Sequence, residues 1–325
     1  MATIKDVAKL AGVSISTASL AINDLPNVSE ATKKRVLDAA EQLGYHPNLS
    51  ARTLKTNKTG SIGVFIYGFG GPIFSDLLET IHNELMKEGL NLIVSTGQSS
   101  TQLLRNKQVD AAIIFDTKIK DEDIIFFAKT KPVVVLDRHL KHPNVYSSVV
   151  KNEELVYTLI KEMIKKGYKK FSFVSGPERT KDNQDRYKGF LKALDEAGLV
   201  PHLLFNGNFT IEGGYREGEK IAKLDEKPDF VYCANDEMAV GLIRALKDNK
   251  VYIPTNIAVA GFDGIYLGDY ITPKLTTIEV DYLQWGVYIS QKIILLLKGH
   301  EVDQVKPPEG KIIYKKSTWK KQNLT

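Results

Sequence analysis

At 325 residues the chain is longer than one ordinary domain and points to two or three. With 43% hydrophobic and 26% charged residues, and no apolar run near the ~18 residues of a membrane span, the composition excludes a disordered chain and a membrane protein. The net charge of +5 identifies no partner by itself, but residues 1–59 hold eight basic and five acidic side chains, which gives that segment the sign of a phosphate-binding module.

The first 45 residues carry helix signals and no strand signal. Thr3 followed by Asp6 reads as a capping box for a helix over 4–11, with Ile4, Val7, Ala8 and Ala11 on one face and Gly12 as its stop. Ser14 caps a second helix running to about residue 23, with Thr17, Ala18 and Ile22 expected on its inner face. A short glycine-containing turn between two short helices is the helix-turn-helix arrangement, in which the second helix offers its N-terminal residues to base edges in the major groove. A third helix is expected over 30–43, capped by Ser29 and stopped by Gly44, with Val36, Leu37, Ala40 and Leu43 at helical spacing. Pro47 can open one more short helix before the polar stretch 55–60, where the interdomain linker belongs.

From Ser61 onward β-branched runs alternate with amphipathic helical segments: SIGVFI, a helix over 74–87, NLIVS, a short helix, DAAIIF, a helix over 121–129, and PVVVL. A second series begins near Glu153, with a helix to 166, KFSFVS, a helix over 184–197, a helix after Ile211, DFVYCA, a helix over 237–248, and IAVAGF. Repeated βα units predict parallel, doubly wound sheets, and two series predict two lobes. A last helix over 282–298 and the strand-like KIIYKK are expected to cross back between the lobes and make a hinged cleft. The reading divides the chain into a helix-turn-helix domain over 1–46, a short helix and linker over 47–59, and a two-lobed α/β core over 60–325. Within the core, the near lobe takes about 60–145 and 282–308, and the far lobe about 146–281 and 309–325.

Enzyme signatures are missing: the sequence has no Walker-type GxxxxGK[ST], HExxH, GxSxG or dinucleotide GxGxxG, and GFGG at Gly68–Gly71 is a turn. No catalytic residue, metal site or cofactor is expected. The single cysteine, Cys233, lies in an apolar run and reads as a buried small hydrophobe, while His82, His139 and His142 show no ligand spacing. MATIKDVAKLAGVS lacks the pattern of a signal peptide, so a cytoplasmic protein is expected.

DVAKLAGVSISTASLAIN and NVSEATKKRVLDAAEQLGYHPN resemble the DNA-binding end of the lactose-repressor (LacI/GalR) family. SIGVFI, DRYKGF, ANDEMAVG, AGFD and PKLTTIEVD resemble its effector-binding core. The resemblance implies a helix-turn-helix domain and hinge helix on a periplasmic-binding-protein-like core, acting as a transcriptional regulator on a pseudo-palindromic operator. It places Ile15, Ser16 and Leu20 at positions that commonly face operator bases, with Thr17 and Ser19 near base edges or backbone. Many members carry arginine where this chain has Leu20; arginine forks onto guanine and leucine cannot, so the operator is expected to depart from the commoner half-site at that base pair. Thr3, Ser14, Asn23, Ser29 and Asn48 are candidates for phosphate contact, with capping the firmer role for Ser14 and Ser29. In the hinge, Asn48, Ala51 and Leu54 match, and the resemblance implies that Leu54 wedges into a minor-groove step; packing of Leu54 on the core is the alternative.

For the effector, the matching residues are Arg186, Asn235, Asp263 and Tyr282. Asp137, Arg138, Tyr67, Pro72 and Phe74 are further candidates at strand ends, where open α/β sheets place ligands. Core packing is the alternative for Tyr282 and Phe74, a turn or cap role for Arg186, Asn235 and Asp263, and Asp236 is expected to cap its helix. Carboxylate, amide and guanidinium groups suit a polyhydroxyl ligand, so a sugar is the first expectation and a purine or phosphoprotein corepressor the alternative. The stretch STGQSSTQLLRNKQVDAAIIF is short for the family, so its helix should be truncated. Without a leucine-rich heptad tail, a homodimer is expected. A sugar-binding transport protein would share the core but not the first 60 residues.

Overall fold

Serine and threonine open the N-terminal helices and glycine closes the first of them, as their chemistry dictates. In the computed structural model, which describes residues 2–23, 26–45, 58–303 and 306–318, helices α1 (Ile4–Ala11), α2 (Ile15–Ile22) and α3 (Glu30–Gln42) form the first unit. The Thr3 N–H and hydroxyl both donate to the Asp6 carboxylate, at 2.9 and 2.7 Å. Ser14 Oγ accepts from Thr17 N at 3.0 Å and Ser29 Oγ from Thr32 N at 3.3 Å. Gly12, at φ 65°, ends α1 in the left-handed region, and the following Val13 N–H closes back on Ala8 O.

The core of this unit is small-residued: Val7, Ala8, Ala11, Ala18, Ala21, Val36, Ala39 and Ala40. Two inner-face expectations are corrected. On α2 Ala21 joins Ala18 as a fully buried residue and Ile22 packs on the core half-buried, as expected, whereas half-buried Thr17 turns its hydroxyl to Ser14. On α3, Ala39 joins Val36 and Ala40, while Leu37 and Leu43 are 45% and 36% exposed. The buried contact is made by small side chains, and Leu37 and Leu43 lie outside it.

The chain divides between Thr59 and Gly60, and the second unit is built of two α/β lobes. The first lobe carries β1 (Ser61–Ile66), α4 (Pro72–Met86), β2 (Asn91–Ser95), α5 (Gln98–Arg105), β3 (Ala111–Phe115), α6 (Asp121–Ala128), β4 (Val133–Val135) and β5 (Val145–Ser147). Its sheet runs β2-β1-β3-β4-β5, all parallel, with Ile62 opposite Ala111. The period of two separates its faces: Ile62, Val64, Ile66, Ala111, Ile113 and Phe115 point to one core, whereas Phe65, Ala112 and Ile114 point to the other with Leu104, Ile124 and Phe127. Helix α5 has eight residues, as its short segment requires.

The second lobe carries α7 (Asn152–Lys165), β6 (Phe171–Ser175), α8 (Lys181–Asp195), β7 (Leu203–Asn206), α9 (Ile211–Ala222), β8 (Phe230–Cys233), α10 (Asp236–Asp248), β9 (Ala258–Asp263), the short α11 (Leu267–Tyr270) and β10 (Thr276–Val280). Then α12 (Tyr282–Leu297) returns to the first lobe to pack on α4, and β11 (Gly310–Ile313) rejoins the second. The sheet order is β11-β10-β9-β8-β6-β7, parallel except for β11, an antiparallel edge strand paired with β10.

Three crossings therefore join the lobes, after β5, after β10 and before β11. They are tied together: Trp285 Nε1 donates to Ser148 Oγ at 2.8 Å, and Ser148 Oγ donates to Lys306 O at 2.7 Å. Among the described residues no helix is long and apolar enough to cross a membrane.

Candidate DNA-reading helix and effector cleft

Helix α2 presents Ile15 at 47% exposure on its first turn, beside exposed Ser14 and Ser16. Isoleucine in that position adds nothing to the unit's own core, which leaves its apolar surface free for a partner. Ser14 Oγ and Thr17 Oγ1 share a 2.8 Å hydrogen bond, Asn23 Nδ2 closes onto Ser19 O at 2.7 Å, and Ser19 and Leu20 are half-buried. Thr3, exposed, is held by Asp6. The hinge candidates Asn48, Ala51 and Leu54 lie outside the described residues.

The core unit holds a half-open cavity of about 210 Å³ between its lobes, smaller than the ~300–1,000 Å³ usual for drug-sized ligands. Six sequence candidates line it: Tyr67, Phe74, Arg186, Asn235, Asp263 and Tyr282. Arg186 leaves the first turns of α8 fully engaged. Its Nε donates to Asn152 Oδ1 at 2.8 Å, one Nη to Ala234 O at 2.6 Å and the other to Asp263 Oδ1 at 3.3 Å, while the guanidinium lies over the Phe262 ring at 3.7 Å. Tyr282 OH donates to the same Asp263 oxygen at 3.0 Å. Burial pushes the Asp263 carboxyl up to about 6 against the pull of Arg186 and Tyr282. Asp263 and Phe209, at φ 108° and 67°, hold left-handed backbone that L residues rarely adopt, so the cleft stores strain that its surroundings sustain.

The facing wall is aromatic. Tyr67 and Phe74 meet edge to face with centroids 4.9 Å apart, Phe74 and Phe115 at 5.6 Å, and Phe115 reaches Trp285 at 6.0 Å, beside the tied crossings. Phe74 therefore packs in the core and lines the cleft at once. Tyr67 is half exposed; its phenol is held well above the ordinary range by desolvation and by the carboxylates of Asp263, Asp182 and Glu237.

Asp137 and Arg138 are not walls of this cavity. Arg138 turns onto Asp137, both oxygens at 2.9 Å, and onto Asp121 at 2.8 Å, and it lines a separate surface hollow with His139 and Lys151. The two side chains satisfy each other, although burial still pushes the Asp137 carboxyl up to about 7. The expected cap role of Asp236 is also corrected. Asn235 is the cap of α10, its Oδ1 accepting from Met238 N at 3.0 Å. Asp236, one residue on, instead clamps the turn after β9 by accepting from Gly264 N, Ile265 N and Thr277 Oγ1. A side chain at Gly261 would put Cβ 2.1 Å from Asp236 Oδ1, so that strand needs glycine there.

Phe115, Asp182, Phe209 and Glu237 also line the cleft and escaped the sequence reading. Phe115 could have been found as the residue ending a strand, and Asp182 and Glu237 as acids in the first turns of helices that carry or adjoin Arg186 and Asn235.

Residues 3–48 match the family model of bacterial regulatory proteins, lacI family, and residues 160–318 match that of a periplasmic binding protein-like domain. The HTH-type transcriptional repressor PurR of Mannheimia succiniciproducens is 33% identical, over 88% of this chain and 89% of that protein. The lac repressor dimer bound to operator and the anti-inducer ONPF superimposes with a TM-score of 0.82 at 24% identity, over 98% of this chain and 99% of that one. A sugar-binding transcriptional regulator of the LacI family from Enterococcus faecalis is 30% identical with a TM-score of 0.73, over 81% of this chain and 99% of that one.

Proposed function

This chain belongs to the LacI family of bacterial transcriptional regulators, DNA-binding proteins rather than enzymes, and from that membership we propose a specific mode of action: a cytoplasmic homodimer that represses carbohydrate-utilisation genes under the control of a sugar-like effector. Two helix-turn-helix units read a pseudo-palindromic operator, with α2 supplying the base contacts through Ile15, Ser16 and Leu20. Asn48, Ala51 and Leu54 form the hinge contact with the minor groove.

The observation that carries the effector reading is one cavity with a guanidinium–carboxylate–phenol network on one side, Arg186, Asp263 and Tyr282, and an aromatic wall on the other. Paired polar groups address neighbouring hydroxyls, and aromatic edges and faces take the C–H side of a pyranose ring. The likeness to a regulator described as sugar-binding supports the same choice. Because the cavity is built from both lobes, a ligand in it favours one lobe angle over another. By linkage, operator affinity then shifts by the same factor as effector affinity.

The test is a fluorescence-anisotropy titration of the full chain against its own upstream DNA, with and without a panel of mono- and disaccharides. Release by one sugar is the expected result. Specific binding that no sugar alters would replace the carbohydrate effector by a purine or phosphoprotein corepressor, and no specific binding would remove the operator reading.

A further inference from the structure

The charge inside the cleft runs against that of the chain. The protein carries a net +5, yet the cavity walls hold three carboxylates, Asp182, Glu237 and Asp263, and one guanidinium, Arg186. Arg186 is committed to Asp263 and to two neutral acceptors. That leaves three carboxylates around one guanidinium: Asp182 shares the field of Arg186 with Asp263, and Glu237 has no ion pair among the described residues.

Asp182, on the first turn of α8, accepts only the neutral Asn152 amide, at 2.8 Å. Glu237, on the first turn of α10, reaches toward the first lobe: a Cβ placed on Gly71 would lie 2.9 Å from its Oε1. Glu237 therefore faces the N-terminal end of α4, whose partial positive charge is weaker than a full cation.

The mouth of the cavity continues the pattern. A second hollow shares Ile73, Asp263 and Tyr282 with it and adds Asp76 and Asp281, with no lysine or arginine among its described walls. Its remaining acids, Asp269 and Glu279, are paired at 2.8 Å with Lys315 and Lys311, which lie outside that lining. A concave site lined by one sign of charge concentrates ligands of the other sign. Opposite the carboxylates stand Tyr67, Phe74 and Phe115, and aromatic rings attract an ammonium group as well as a sugar face.

We propose that the effector is cationic, a polyhydroxylated amine such as an amino sugar, whose ammonium group sits between Asp182, Glu237 and the Tyr67 wall while its hydroxyls meet Arg186, Asp263 and Asn235. This rests on the reading of the cavity as a carbohydrate site and narrows it. A phosphorylated or acidic sugar would add negative charge where three carboxylates already share one guanidinium, and is rejected. Burial raises both the Asp182 and Glu237 carboxyls, Asp182 against the pull of Arg186, and the charge of Asp263 adds to the rise at Glu237.

Isothermal titration calorimetry of the full chain tests it with three matched sets: glucosamine, galactosamine and mannosamine, the corresponding neutral hexoses, and their 6-phosphates. At least one amine should bind about tenfold or more tighter than its neutral counterpart, and the phosphates should not bind. The preference should fall to within about threefold in the Asp182→Asn/Glu237→Gln double variant, whose fold is checked by circular dichroism. If that variant unfolds, Glu237→Gln alone should at least halve the preference. A neutral hexose or phosphate that binds as tightly as its amine, or a preference that survives both variants, overturns the cationic effector and leaves the carbohydrate site standing. Binding by no member of the three sets overturns both.

Discussion

Arg186→Met is the sharpest perturbation of the core unit. Methionine keeps the apolar stem that lies on Phe262 but removes donors to Asn152 Oδ1, Ala234 O and Asp263 Oδ1. Two consequences separate by pH. Orphaning the Asn152 and Ala234 oxygens costs about 1–3 kcal/mol at any pH. Stripping the cation from buried Asp263 brings the total to about 3–5 kcal/mol, the range for breaking a buried ion pair.

The second part needs a charged carboxylate. With Arg186 present the Asp263 carboxyl is already pushed up to about 6, above its unfolded value, so its charge opposes folding as pH rises through that point. Without Arg186 the carboxyl moves higher still. The gap between variant and wild type therefore opens above about pH 6 and narrows below it, where both hold the proton. Differential scanning calorimetry of the full chain, following the core transition separately from that of the N-terminal unit, should show a fall on the order of 10 °C at pH 8 and roughly half of that at pH 5. A fall under about 2 °C at pH 8, or a gap equal at the two pH values, would refute the assignment of Arg186 as the counter-ion that holds Asp263 in the cleft.

Asp137→Asn should act in the opposite sense. Its carboxyl is pushed up to about 7, so wild-type stability falls as pH climbs from its unfolded value through 7, and the amide should melt higher than wild type at pH 8 with the advantage closing toward about pH 4. Arg138 stays occupied by Asp121, so no cation is orphaned, and an unchanged or lower melting temperature at pH 8 would refute the point. Gly214→Ala would drive Cβ to 2.0 Å from Met238 O, forcing α9 and α10 apart; a loss of about 1–3 kcal/mol should appear as a lower urea midpoint, and an unchanged midpoint contradicts the packing. Ser14→Ala removes the cap of α2 at a cost of about 1 kcal/mol, which should lower the melting temperature of the N-terminal unit in calorimetry, and an unchanged melting temperature would contradict the cap. Selection from a random DNA pool should return a half-site lacking guanine opposite Leu20, and recovery of a guanine-bearing site would exclude the role given to that leucine.

How far the site could be read from residues alone differs from one part of it to another. Arg186, Asp263 and Tyr282 were legible because each sits in a short matching segment at the end of a strand or the start of a helix. Asp137 was equally well placed by that rule, yet its side chain is turned away with Arg138, since a guanidinium one residue along competes for it. The cap role passed from Asp236 to Asn235 for a similar reason: two adjacent polar residues can each serve a helix start, and only the turn after β9, brought alongside α10, takes Asp236 out of the competition.

By itself the sequence determined what depends on neighbours within about four residues: the Ser14 and Ser29 caps, the Gly12 stop, the period of two through SIGVFI and DAAIIF, and so the class of the fold and the order of its elements apart from the short β5, β7 and α11. Only the tertiary structure decided which strand ends face one another. It gathered Tyr67, Phe115, Asp182, Glu237 and Tyr282 from across more than two hundred positions into one cavity, and set three carboxylates around one guanidinium there. Such pairings are set by sheet order and by which helices fit closely enough at Gly189, Gly214 and Gly241 to pack, and no local period in the chain encodes them.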